Sequence, residues 1–294
     1  MRVALHDADQ TAFPNLALMK LSAKHKALGD SVGWLIALER DQYDLVYSSK
    51  VFTFTPEDGY LPDGAVCGGT GSEDMVELDD ETEHLCPDYG LYGLDYSVGF
   101  LTRGCPRKCD WCFVPKKEGP IRPHADIEEF ARHKDVVLLD NNVLAHNHGI
   151  EQIEKIAHLG LRVDFNQGLD ARLIDDAMAR LLGKVRWLKP IRLACDHRGQ
   201  IPAVRKAVEC LRWHNVTPRA YFAYVLVKDV DDAVERVRML KGMHVDPFAQ
   251  PFIPPEGTPP TYKQRAFARW CNHKAECKSR AWEDYWAAHR SRQS

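Results

Sequence analysis

The sequence predicts an α/β protein, and three observations carry that expectation. Short apolar strands alternate with stretches of helical periodicity, glycines stand where the helices stop, and polar residues gather just after the strands. Repeated strand–helix units imply parallel sheets with right-handed crossovers. At 294 residues the chain is long enough for one large domain or two modest ones.

Taken in order, residues 2–6 read as a strand. Residues 15–28 read as a helix, with Leu16, Leu18, Met19, Leu21, Ala27 and Leu28 at helical spacing and Gly29 as its stop. Strands follow at 32–38, 43–47 and 64–67, which together predict a small Rossmann-like α/β domain over 1–84. Gly68-Gly69-Thr70-Gly71 then marks either a tight turn or a close approach to a ligand. The acidic run 73–83 reads as a solvated linker, and 87–93 is rich in turn residues.

A strand at 96–101 leads into a cysteine-rich loop. Beyond it, helices are expected at 126–133, 150–159, 170–182, 201–214 and 230–240, and strands at 136–139, 161–165, 191–195, 219–227 and 244–248. By analogy with the eight-unit closed form, about six such units predict a partial (β/α)6 TIM-type barrel over 85–260. Active residues then belong at the C-terminal ends of its strands. The C-terminal extension, 261–294, reads as a helix or helix pair.

The loop holds Cys105, Cys109 and Cys112 at Cys-x-x-x-Cys-x-x-Cys spacing. Three thiolates can wrap one soft metal centre and remain one ligand short of a closed set, which keeps a position open for chemistry. A structural zinc knuckle is the bland alternative, with His124 or His133 as fourth ligand, but zinc ligands usually come as two short pairs.

With Trp111 before the third cysteine, the loop resembles the signature of the radical S-adenosylmethionine (SAM) superfamily. The resemblance covers roughly 95–260. It implies a [4Fe–4S] cluster on Cys105, Cys109 and Cys112, whose open iron chelates SAM and whose electron cleaves it to methionine and a 5′-deoxyadenosyl radical. It implies Trp111 beside the adenine and a reductant such as flavodoxin or ferredoxin as partner. Asp140, Asn141 and Asn142 follow the strand where relatives bind the SAM amino group, although the usual Gly-Gly-Glu is absent. Turn formation is the competing reading for these three.

Gln167 follows the next strand, with Asp170 as a helix N-cap or a site residue. Asp196 stands where relatives contact the SAM ribose. Arg198 suits the SAM carboxylate or a substrate anion, and Lys228 has a similar, weaker claim. The stretch 253–259 resembles the Pro-x-x-Gly-Thr element that approaches adenine. The N-terminal domain resembles the cobalamin-binding domains that often precede this barrel. Its His6-Asp7-Ala8-Asp9 departs from the Asp-x-His-x-x-Gly loop, which weakens cobalamin as a cofactor.

Net charge is −3, divided unevenly: 6 Lys/Arg against 18 Asp/Glu in 1–100, then 25 against 21 in 101–260, and 8 against 3 beyond. An anionic substrate would approach the basic part more readily. Arg103, Arg107, Lys108, Lys116, Lys117 and Arg122 crowd the cysteine loop, where they can neutralise the thiolates or meet an acidic electron donor. In the tail, aromatic and basic residues interleave. This pattern suits an amphipathic helix closing the barrel, and a basic nucleic-acid-binding tail is the alternative. Coupled with zinc at the cysteine loop, that tail would make the chain a metal-binding interaction protein. No apolar run reaches membrane-spanning length and no signal-peptide pattern is present. Free thiols and an oxygen-sensitive cluster suit the cytoplasm. Cys271 and Cys277, with His273 between them, do not read as one compact metal loop.

Overall fold

The structure, a computed structural model, describes residues 1–290 apart from 57, 74–75, 217–219 and 255–256. It is a mixed α/β protein with parallel-strand sheets, and among the described residues no closed barrel is formed. The chain divides into two compact units: Met1–Gly99 with Ala125–Asp135, and Phe100–His124 with Val136 onward.

The first unit is built on β1 (Arg2–Asp7), α1 (Leu16–Ala27), β2 (Ser31–Trp34), β3 (Leu45–Ser49) and β4 (Val66–Gly68). The strands are parallel in the order β2-β1-β3-β4. Asn15 starts α1 by accepting the Leu18 N–H at 3.2 Å, and Lys24, His25 and Lys26 face the negative end of the helix dipole. Leu18 and Leu21 of α1 bury against Leu5 of β1, with Val32, Tyr47, Leu78 and Leu91 around them.

The acidic run is more structured than a solvated linker. Asp79 caps α2 (Asp80–Glu83) by accepting the Thr82 N–H at 2.8 Å, and Lys24 Nζ donates to it at 2.7 Å. Those hydrogen bonds, Lys24's first, hold its carboxyl well below the usual range. Asp74 lies outside the described residues.

β5 (Ser97–Gly99) ends this stretch, and β6 (Thr102–Arg103) follows as a separate piece where one strand was expected. α3 (Val114–Lys117) and β7 (Arg122–Pro123) complete the cysteine loop. The helix expected over 126–133 shrinks to α4 (Ile127–Phe130), because the Arg132 and His133 N–H groups both turn to Ser97 Oγ, at 2.8 and 3.0 Å.

β8 (Asp135–Leu138) enters the second unit at Val136, and α5 (Asn147–Leu159), β9 (Arg162–Phe165), α6 (Asp176–Leu182) and the unexpected β10 (Arg186–Trp187) come next. Gly160 ends α5 with φ +61°, as its place in the sequence implies. The expected helix 170–182 breaks in two. Asp170 caps a short 3₁₀ turn, and Asp175 restarts the chain by accepting the Met178 N–H at 2.9 Å. β11 (Ile191–Ala194), α7 (Ile201–Trp213), β12 (Tyr221–Val227), α8 (Val230–Gly242) and β13 (Val245–Pro251) follow; Arg219, expected to open β12, lies outside the described residues.

β12 lies between β11 and β13, parallel to both, and its alternate residues Tyr221, Ala223, Val225 and Val227 are buried. A parallel bridge between Leu169 and Leu193 joins the end of β9 to β11. Arg236 of α8, 1% exposed, donates to the carbonyls of Cys195 and Leu226 and to Asp232. It thereby ties the ends of β11 and β12 together.

The tail forms three helices: α9 (Tyr262–Asn272), α10 (Lys274–Ser279) and α11 (Trp282–Arg290). Phe267, Trp270, Trp282 and Tyr285 are buried against one another, with ring centroids 5.1–6.0 Å apart. These rings are spent on packing. No helix among the described residues is long and apolar enough to cross a membrane.

Candidate functional site

The cysteine loop is closed at its own neck. β6 pairs antiparallel with β7, Thr102 opposite Pro123 and Arg103 opposite Arg122. Gly104 takes φ +78°, and a Cβ there would run into the backbone of Gly119 and Pro120, so only glycine fits. Glu118 then gathers the loop. Its Oε2 accepts from the Gly104 N–H at 2.8 Å and Asn141 Nδ2 at 3.0 Å, and lies 3.3 Å from Arg103 Nε.

Asp140 fixes the other side of the neck. It is 4% exposed and accepts the Thr102 N–H at 2.6 Å, Thr102 Oγ1 at 2.7 Å and the Leu101 N–H at 3.2 Å. Burial pushes its carboxyl up to about 6, against the pull of those donors.

Cys105 and Cys109 are half-buried and Cys112 is exposed, all as free thiols. Burial raises the Cys109 thiol, and the charges of Cys112 and Cys105 add to that. Although the Cys112 residue is exposed, partial desolvation of its sulfur raises the thiol, with Cys105 and Asp196 contributing, while the Val114 N–H opposes. The three sulfurs thus share one electrostatic neighbourhood. Among the described residues, no three His, Cys, Asp or Glu side chains are gathered closely enough to hold a metal ion. As chemistry, the donor set fits a soft metal centre: three thiols on one loop, each a ligand once deprotonated.

A second cluster abuts the first. Asp170 takes Arg172 in a bidentate pair, at 2.6 and 2.9 Å, and Arg107 Nε at 2.9 Å. These partners outweigh burial and hold its carboxyl below the usual range. Arg172 also feels Cys109 and Cys105. Asn142 Nδ2 reaches Asp170 Oδ2 at 3.3 Å and Cys105 Sγ at 3.6 Å. Its other amide atom, Oδ1, is buried without a hydrogen-bond partner, in a side chain only 4% exposed. Among the described residues, Asn142 therefore offers a buried acceptor next to Cys105.

Trp111 stands edge-on to His197, centroids 5.9 Å apart, and Lys228 Nζ lies 4.5 Å from the Trp111 ring centroid and 4.7 Å from that of Phe252. Asp196 accepts the Leu226 N–H at 3.3 Å, and burial raises its carboxyl.

Cys105, Cys109, Cys112 and Asp196 are thus linked electrostatically, and Asn142 by its contact with Cys105. Asp140 and Asn141 are engaged in holding the loop's neck. Gln167 is exposed in the turn before Gly168. Arg198 is turned to Asp232 and Glu235, each at 2.8 Å. His124 packs edge-on to Phe100, and His133 bonds Ser97 Oγ. Of the 253–259 element, Gly257 closes a turn onto the Pro254 carbonyl at 2.8 Å; Pro255 and Glu256 lie outside the described residues. Sequence reasoning missed Arg172 and the gathering role of Glu118. The nearest signal was an arginine two residues after a helix-capping aspartate.

In the first unit, His6 is buried with both ring nitrogens engaged: Nδ1 with Ser48 Oγ at 2.8 Å, Nε2 with Asp58 at 2.9 Å and Tyr60 OH at 3.0 Å. Burial lowers its basicity. The glycine cluster has a packing explanation. A Cβ at Gly69 or Gly71 would strike the backbone of Lys50 or Phe52, and Gly71 donates to the Lys50 carbonyl at 2.9 Å.

No protein-family model and no curated protein matches this chain.

Proposed function

We propose that the chain is a radical SAM enzyme in which Cys105, Cys109 and Cys112 hold a [4Fe–4S] cluster. When bound, the cluster supplies the electron that cleaves SAM reductively and starts radical chemistry on a substrate. The observation that carries this reading is the three-thiol loop beside the unpartnered Asn142 Oδ1. That oxygen is an acceptor suited to an ammonium group. Arg107 and Arg172 offset the negative charge of the thiolates, and Asp170 fixes where they stand. Asp196, whose charge acts on Cys109 and Cys112, offers a further acceptor, and Lys228 lies over the Trp111 ring.

The finer fold reading goes with this proposal. Parallel pairing through β11, β12 and β13, and the Leu169–Leu193 bridge, favour a partial (β/α)6 barrel. The order β2-β1-β3-β4 favours a Rossmann-like first unit. A small reducing protein as electron donor, an anionic substrate and a cytoplasmic setting belong to the same reading. Cobalamin gains no support from His6, whose nitrogens are both occupied.

The test is anaerobic reconstitution with iron and sulfide, followed by reduction in the presence of SAM. Iron, acid-labile sulfide and 5′-deoxyadenosine are expected, and Cys109→Ala should lose all three. A colourless protein loaded with zinc would overturn the proposal in favour of a metal-binding interaction protein.

A further inference from the structure

A second pair of thiols has no part in that chemistry. Cys271 lies in the last turn of α9 and Cys277 in α10; His273, between them, caps α10, its Nδ1 accepting the Glu276 N–H at 3.3 Å. The two sulfurs share a hydrogen bond although both residues are buried, 1% and 3% exposed. They also line a cavity of about 380 Å³, together with Lys241, His244, Asp246, Lys274 and Lys278. Among the described residues no third donor joins them as a metal site.

The cavity treats the two sulfurs differently. Lys274 and Lys278 lie 2.8 and 3.8 Å from Asp246, and Lys241 Nζ donates to the Cys277 carbonyl. Three ammonium groups against one carboxylate leave a positive surround. The hydrogen bond from Cys271 holds the Cys277 thiol below its ordinary value, with Lys241 and Lys278 adding to it; the same bond, then burial, raises Cys271. The surround thus favours the thiolate at Cys277 over that at Cys271.

We propose that Cys271 and Cys277 form a peroxide-oxidisable dithiol, with Cys277 as the attacking sulfur and Cys271 as the resolving one. The burial of both sulfurs restricts the oxidant to a small molecule that enters the cavity, and hydrogen peroxide meets that condition. The Cys277 thiolate attacks one peroxide oxygen and the O–O bond breaks. Cys277 becomes a sulfenic acid, and the departing hydroxide takes up a proton and leaves as water. The Cys271 sulfur then attacks the Cys277 sulfur, the S–O bond breaks, and the hydroxyl leaves with the Cys271 proton as a second water. In sum two thiols lose two electrons to one peroxide, and the new S–S bond ties α9 to α10.

The full-length protein is treated with hydrogen peroxide, its remaining thiols are alkylated, and it is digested without reductant for mass spectrometry. The expected product is a Cys271–Cys277 cross-linked peptide, lighter than the dithiol by two hydrogens and restored by dithiothreitol. Cys271→Ser should accumulate a dimedone adduct at Cys277, and Cys277→Ser should give less adduct at Cys271, whose thiol burial still raises once its partner is gone. The wild-type measurement stands even where a variant fails to fold. Recovery of both thiols separately alkylated, at peroxide levels that oxidise the exposed Cys112, would overturn the proposal; so would equal adduct in the two variants.

Discussion

The strand ends of the two units carry similar residue types and use them in opposite ways. At the ends of β1 and β3, His6 is satisfied by Ser48, Asp58 and Tyr60. Asp9 accepts from the N–H groups of Val51 and Phe52 and from the Thr55 hydroxyl. Asn15 both caps α1 and reaches Ser49. Beyond β8 the polar set is just as dense, yet Asn142 keeps a buried oxygen that has no partner among the described residues, next to Cys105. A closed polar cluster stabilises a fold; a buried acceptor left open costs stability and is kept where something else completes it. Composition does not separate the two cases, whereas the accounting of donors and acceptors does.

Four variants press on this contrast, from the largest expected effect to the smallest. Asp140 comes first. Its folded-state value, about 6, lies above that of the unfolded chain, so the folded form binds the proton more tightly. Its contribution is fully present below the unfolded value and is lost as pH rises through about 6, a swing of about 3 kcal/mol. Urea unfolding of Asp140→Asn against wild type should therefore show a stability difference that changes by that amount between pH 4 and pH 7. A difference that stays constant with pH would mean the carboxylate is charged throughout.

His6→Ala, in the closed cluster, is expected to cost roughly 1–3 kcal/mol in urea unfolding and to leave SAM binding unchanged. Weakened SAM binding would make the first unit part of the site and dissolve the contrast. Asn142→Leu, in the open cluster, should do the reverse. Stability should move by less than about 1 kcal/mol, while the Kd for SAM on reconstituted protein, read by anaerobic calorimetry, should rise about tenfold. A loss of several kcal/mol with unchanged affinity would place Asn142 among the structural residues. Lys228→Met removes a cation from two aromatic faces and should cost about 0.5–2 kcal/mol, read together with a shift in Trp111 emission.

The parallel strands and most helices were legible because their signals are local. Gly160 stops α5 as expected, and the alternation of Tyr221–Val227 marks a strand covered on one face. What sequence reading lost was decided by side chains competing for backbone groups. Ser97 Oγ truncates α4 through N–H groups 35 and 36 residues away, and Asp175 splits a helix whose periodicity runs straight through it. The same holds for the site. Cys105, Cys109 and Cys112 announce themselves by spacing, as Asp140 does by following a strand. That Asp140 points back to Leu101 and Thr102 is a tertiary fact, and so is the convergence of Arg107 and Arg172 on Asp170. Arg198 shows the converse, a cation well placed in sequence that the neighbouring helix takes up instead.

The antiparallel neck formed by β6 and β7 has a consequence for how this chain can vary. Because the loop is clasped where it leaves the sheet, residues gained or lost beyond the clasp do not shift the register of any strand. Each doubling of such a segment costs only about 0.6 kcal/mol in closure entropy. The cysteine-bearing stretch is in that sense a cassette: residues between Cys112 and Glu118 can change in number while the cysteine spacing, the clasp and the scaffold beneath stay the same.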